Sequence, residues 1–126
     1  MKGRRLLVVE DEEDVRSFIL DALRRDSHEI DVADDGLKAL WLVSQHAYDV
    51  ILTDLKMPVM DGRAFYREVE RIRPHTMPRV VFITGEADSP SYAPFLTAIG
   101  AVALTKPFTV EALQEVVAWA LGTPSY

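Results

Sequence analysis

Four short apolar runs divide the chain, and each stops at a polar residue. Leu6-Leu7-Val8-Val9 runs into Glu10-Asp11, and Val50-Ile51-Leu52-Thr53 runs into Asp54. Val80-Val81-Phe82-Ile83 is followed by Thr84-Gly85, and Ala101-Val102-Ala103-Leu104-Thr105 by Lys106-Pro107. Continuous apolar runs of this length predict strands buried on both faces, as in a parallel sheet. A fifth segment, His28 to Ala33, alternates polar and apolar residues and predicts a half-exposed edge strand.

Between these runs the period changes to that of helices, giving repeated strand–helix units and an α/β fold. The spacing predicts a helix over Glu13 to Arg25, with Val15, Phe18, Ile19, Ala22 and Leu23 on its inner face. A second follows the turn Asp34-Asp35-Gly36 and reaches His46, with Leu37, Leu40 and Val43 inward. Asp61 is placed to cap a third, to Ile72, and Thr109 a last one, to Leu121, which Gly122 stops. Pro90 and Pro94 crowd the segment where a fourth helix belongs. Proline is tolerated only in a first turn, so a short helix starting near Ser91 is expected.

With 126 residues the expectation is a single domain over 1–126, its core about 4–121 and 122–126 a tail. The absence of cysteine excludes a disulfide framework, a zinc–thiolate site and a thiol nucleophile. A net charge of −6 speaks against direct nucleic-acid contact, which needs a basic face. No apolar run approaches the ~20 residues of a membrane span, and the basic start at Lys2, Arg4 and Arg5 lacks the apolar core of a signal peptide. A soluble cytoplasmic protein is therefore expected.

In an open α/β sheet the functional crevice lies at the carboxyl ends of the strands. Glu10, Asp11, Asp54, Thr84 and Lys106 would meet there. Any one of these alone is an ordinary strand-end or loop residue; the set has a common chemistry. Crowded carboxylates repel unless a cation joins them, and all-oxygen donors suit Mg²⁺. Asp11 and Asp54 are candidate direct ligands with a backbone carbonyl after Asp54, and Glu10 acts through water. Lys106 offers a point charge and Thr84 a hydroxyl to a phosphoryl group, and Asp54 is a candidate nucleophile, since aspartate can form an acyl phosphate.

The motifs Val8-Val9-Glu10-Asp11-Glu12, Leu52-Thr53-Asp54-Leu55-Lys56-Met57-Pro58-Val59-Met60-Asp61-Gly62, Phe82-Ile83-Thr84-Gly85 and Leu104-Thr105-Lys106-Pro107-Phe108 resemble, in this order, the receiver domain of two-component response regulators. The likeness is to chemotaxis regulators and to the receivers of hybrid histidine kinases, and it covers about Leu6 to Leu121. It implies a flavodoxin-like, doubly wound five-stranded parallel sheet of order 2-1-3-4-5 with helices on both faces. It also implies that Asp54 accepts a phosphoryl group from the phosphohistidine of a sensor histidine kinase or phosphotransfer domain, with Mg²⁺ required. Glu10 and Asp11 match the acid pair, the Lys56 carbonyl the backbone metal ligand, Thr84 the switch hydroxyl and Lys106 the phosphate-sensing lysine. The module would be a switch acting on a downstream protein or fused output domain, catalysing only its own phosphorylation and slow dephosphorylation.

One position departs from that pattern. Family members often carry an aromatic residue three positions before the lysine, where this chain has Ala103, so the signal cannot leave through a ring at that site. A phosphorylation-independent interaction domain on the same fold is the alternative. An aspartate-nucleophile phosphatase would need a second aspartate where Lys56 stands, and the acids of residues 10–13 would repel the phosphate of a flavin cofactor. Lys56 and Glu86, each two residues beyond a site residue, either pair across the site and shield the acyl phosphate from water or remain solvated. On the last helix Ala112, Val116 and Trp119 form a second apolar stripe. With Ala103 nearby, it marks either a homodimer or partner face built from the fourth helix, fifth strand and fifth helix, or the packing of Trp119 over the short helix.

Overall fold

A computed structural model describes residues 4–24, 28–85 and 91–122. The chain alternates β1 (Arg5–Val9), α1 (Glu13–Leu23), β2 (Glu29–Ala33), α2 (Gly36–Gln45), β3 (Val50–Asp54), α3 (Gly62–Ile72), β4 (Arg79–Thr84), α4 (Ala93–Ile99), β5 (Val102–Thr105) and α5 (Val110–Gly122). All strand pairings are parallel and the sheet order is β2-β1-β3-β4-β5, as expected from the resemblance.

Alternation along the buried strands divides the core. Leu6, Val8, Val50, Leu52, Val81 and Ile83 pack with Ile19 and Leu23 of α1 and with Leu113 and Val117 of α5. Leu7, Val9 and Ile51 face the other way, onto Ala39 and Val43 of α2 and Phe65 and Val69 of α3. A third cluster on that side joins Leu55 and Phe82 to Tyr92, Phe95 and Leu96 around α4. Ala103 lies opposite Phe82 in the β4–β5 ladder, so the Phe82 ring lies beside this small side chain.

The caps expected at Asp61 and Thr109 form, and Asp35 adds a third. Asp35 accepts from the Lys38 N–H, Asp61 from Ala64 and Thr109 from Ala112. α4 starts at Ala93 with proline in its first turn and stops at Gly100, whose left-handed φ of 62° favours glycine. Three expectations need correction. Leu37 is expected inward but is 56% exposed; the inner stripe of α2 is Gly36, Ala39 and Val43. Phe18 is 39% exposed and meets Phe108 edge-on instead of entering the core. β3 also runs one residue further than its apolar run, so Asp54 belongs to the strand.

On α5, Leu113, Val117 and Ala120 face the sheet as expected. Trp119 is 47% exposed, its ring 5.3 Å from the Arg79 guanidinium. Among the described residues no helix is long and apolar enough to cross a membrane.

Candidate functional site

Parallel pairing brings the carboxyl ends of β1, β3, β4 and β5 to one edge, and the expected residues meet there. The ladder extends past the strands themselves. Glu10 N–H donates to Ala33 O, Leu55 N–H to Ile83 O, and Lys106 N–H to Thr84 O at 2.9 Å. Glu10, Asp54 and Thr84 are buried, whereas Asp11 is exposed.

Lys106 organises the charges. Its Nζ is 3.2 Å from Asp54 Oδ1, 3.5 Å from Glu10 Oε1 and 3.4 Å from Glu12 Oε1. The other Glu10 oxygen, Oε2, accepts the Glu12 N–H at 3.1 Å. Arg16 reaches back from α1 and donates from Nη1 to the Glu10 carbonyl at 2.9 Å. Asp11, Glu12, Asp54, Lys56, Thr84 and Lys106 line a cleft of about 350 Å³, with Ile83 and Gly85 at its wall.

The carboxylates are under strain from their surroundings. Burial, and then the neighbouring Asp54 carboxylate, push Glu10 up to about 8 from an ordinary 4.5. Burial also raises Asp54, with the Lys106 ammonium pulling the other way. For Lys106 itself burial disfavours the charge, but Asp54, Glu10 and Glu12 more than offset it and hold its pKa above the ordinary lysine value.

Glu10 Oε1 and Asp54 Oδ2 are buried and accept no hydrogen bond. Buried polar atoms are seldom left so without a reason. One carboxylate oxygen from each of Glu10, Asp11 and Asp54 lies within 4.8 Å of the other two. Hard oxygen donors, two of them without a hydrogen bond, at this spacing fit a divalent cation such as Mg²⁺.

Residues 6–118 match the response regulator receiver domain family. The chain belongs to that family. Its sheet order is thus that of a receiver, a kind of signalling switch in two-component systems. Over 110 residues this receiver is 34% identical to sensor histidine kinase TmoS of Ectopseudomonas mendocina; the match covers 87% of the chain and only 11% of that kinase. Among solved structures it is similar to chemotaxis protein CheY4 of Vibrio cholerae, with a TM-score of 0.85, 30% identity and coverage of 95% of this chain and 100% of that one. It is likewise similar to the receiver domain of sensor histidine kinase PA1611 from Pseudomonas aeruginosa, at a TM-score of 0.84 and 28% identity, covering 97% of this chain and 100% of that one. That protein has a magnesium ion coordinated in its active-site cleft.

Of the residues singled out from sequence, the receiver brings together Glu10, Asp11, Asp54, Thr84 and Lys106, with Lys56 on the cleft wall. Ala103 sits on β5, away from the acids and against the α4 cluster. Glu86 lies outside the described residues, so its pairing with Lys56 does too. Two contacts at this edge were not read from sequence: Arg16 to the Glu10 carbonyl, and Glu12 to Lys106. The run of acids from Glu10 to Glu13 was visible, but a single ion pair across 94 positions has no periodic signal.

Proposed function

We propose that this receiver accepts a phosphoryl group on Asp54 from the phosphohistidine of a sensor histidine kinase or phosphotransfer domain in the cytoplasm. The observation that carries it is the placement of Asp54. One of its oxygens pairs with Lys106 at 3.2 Å, and the other is buried without a hydrogen bond beside two further carboxylates.

Asp11, Asp54 and the Lys56 carbonyl would hold Mg²⁺, with Glu10 acting through a water. A bound Mg²⁺ would neutralise the carboxylates and contact an oxygen of the incoming phosphoryl group. The remaining work falls to side chains. The Asp54 carboxylate attacks phosphorus and the bond to the donor's imidazole breaks, leaving an acyl phosphate on Asp54. Lys106, already among anions, pairs with a phosphoryl oxygen in place of the lost carboxylate charge. Thr84, buried at the end of β4, would answer the new group with its hydroxyl. Phosphoryl transfer asks mainly for position and charge, and a rigid strand edge gives both.

The resulting shift in β4 and β5 would pass to α4 and α5 and so to a partner, an output domain or a second copy docked on the α4–β5–α5 face. The test is intact-mass spectrometry after incubation with acetyl phosphate and Mg²⁺. A single phosphoryl adduct is expected in the wild type and none in Asp54→Asn or without metal. An adduct that survives Asp54→Asn would place the acceptor elsewhere.

A further inference from the structure

Three carboxylates converge on the Lys106 ammonium, and one of them stands apart from the other two. Asp54 and Glu10 are buried, whereas the Glu12 side chain is 63% exposed and its Oε1 is 3.4 Å from Nζ. Glu12 lines the cleft that leads to Asp54. The fold draws on its backbone more than its charge. As the residue preceding α1 it makes no side-chain cap, and what it gives Glu10 is its N–H.

Resting on the phosphoacceptor function proposed above, we infer that Glu12 is a specificity-determining residue that selects phosphodonors by their charge. A donor that reaches Asp54 passes the Glu12 carboxylate. That carboxylate repels the donor's own anionic charge, and it draws the Lys106 ammonium toward the rim, which weakens the positive potential awaiting the phosphoryl oxygens. Both effects weigh most on a small free dianion. A phosphohistidine brought by a protein surface that sets a basic side chain opposite Glu12 escapes both, so the matching donor surface carries a lysine or arginine there.

The transfer itself is the same for every donor. A carboxylate oxygen of Asp54 forms a bond to phosphorus as the bond to the leaving group breaks, and the leaving group takes the electron pair. Acetate leaves from acetyl phosphate. Ammonia leaves from phosphoramidate, whose nitrogen already carries the proton it needs. At neutral pH the first donor is a dianion and the second a monoanion, so they differ in the property Glu12 senses.

Phosphorylation rates of wild type and Glu12→Gln with each donor, measured by intact mass with Mg²⁺ at pH 7, test the inference. Glutamine keeps the backbone donor and the side-chain length. In low salt Glu12→Gln should accelerate acetyl phosphate about tenfold and phosphoramidate about threefold, and the gap should close near molar salt. An equal change for both donors, no change, or a slowing overturns the inference. If neither the wild type nor Glu12→Gln takes a phosphoryl group from either donor, the phosphoacceptor function is overturned, and this inference with it.

Discussion

Gly62 packs against the backbone of Asp54 so closely that a methyl group has no room between them. A Cβ at Gly62 would lie 2.8 Å from Asp54 O and 2.9 Å from Leu55 Cα. The Gly62 N–H also donates to Leu55 O at 2.7 Å. The glycine that opens α3 is thereby what seats the chain immediately after the acceptor.

Gly62→Ala should therefore destabilise the protein by about 1–3 kcal/mol, as overpacking does. Helix propensity alone predicts the reverse, since alanine is favoured over glycine by about 1 kcal/mol. Urea denaturation decides between them. Because the clash falls on the Asp54 carbonyl and Leu55, the variant should also bind Mg²⁺ more weakly by calorimetry. A variant more stable than wild type would show that the loop yields freely.

Metal-free stability should fall as pH rises. Glu10 has its pKa raised from 4.5 to about 8 by burial and by Asp54. Between those values the folded protein keeps a proton that the unfolded chain has released. The stabilisation is complete below pH 4.5 and is lost as pH climbs through 8. Asp54, also raised by burial, acts in the same direction. Glu10→Gln makes the neutral side chain permanent, so its denaturation midpoint should vary less with pH and exceed the wild type's near pH 8. Mg²⁺ competes with the same proton, and its affinity should strengthen over this window. A metal-free wild type that gains stability from pH 5 to 8 would refute the assignment.

Val59 carries strain that asparagine would relieve. Its φ is 73°, and Met60 N–H donates across it to Pro58 O at 2.8 Å, forming a three-residue turn of the rarer, strained hand. A left-handed conformation costs an L-residue about 1–2 kcal/mol, and a β-branched side chain tolerates it worst. The side chain is 77% exposed, so little packing is lost on replacement. Val59→Asn should stabilise by about 1 kcal/mol and raise Tm by about 4 °C. A lower Tm by calorimetry would mean that the valine makes a contact worth more than the strain.

The legible parts of this molecule were those with a repeating signal. Leu6 to Val9 and Val50 to Leu52 are apolar on both faces, which only a doubly covered strand allows, and their ends therefore marked the crevice. Asp54 itself ends β3, one residue beyond the expected boundary, because a polar side chain stops an apolar run before the backbone ladder stops. Leu37 shares the apolar period of α2 but points to solvent, because Gly36, Ala39 and Val43 are the positions that face inward. Arg16 and Glu12 act through contacts set by how α1 leaves β1, and no spacing in the sequence encodes them. Tyr48 carries no such signal either, since its polar contact reaches from the start of β3 to Asp31 on β2.

That tyrosine should prove structural and independent of the site chemistry. Tyr48 is buried and donates its hydroxyl to Asp31 Oδ2 at 2.6 Å, tying the start of β3 to the edge strand β2. Arg5 holds the same carboxylate oxygen from β1 at 3.4 Å, its guanidinium 5.8 Å from the tyrosine ring. Burial, and then the Asp31 carboxylate, keep the phenol protonated well above its usual range, so it remains a donor at every physiological pH. Tyr48→Phe removes the donor and leaves Asp31 with Arg5 and water, since that carboxylate is 31% exposed. Hydrogen bonds to charged groups contribute about 1.5–3 kcal/mol, and solvent access places this one at the lower end. The variant should thus lose about 1–2 kcal/mol in urea denaturation. Its rate of phosphorylation by acetyl phosphate should match the wild type, because none of these three residues lines the Asp54 cleft. A slowed rate at unchanged stability would instead make the Arg5–Asp31–Tyr48 network part of how the strand edge is positioned.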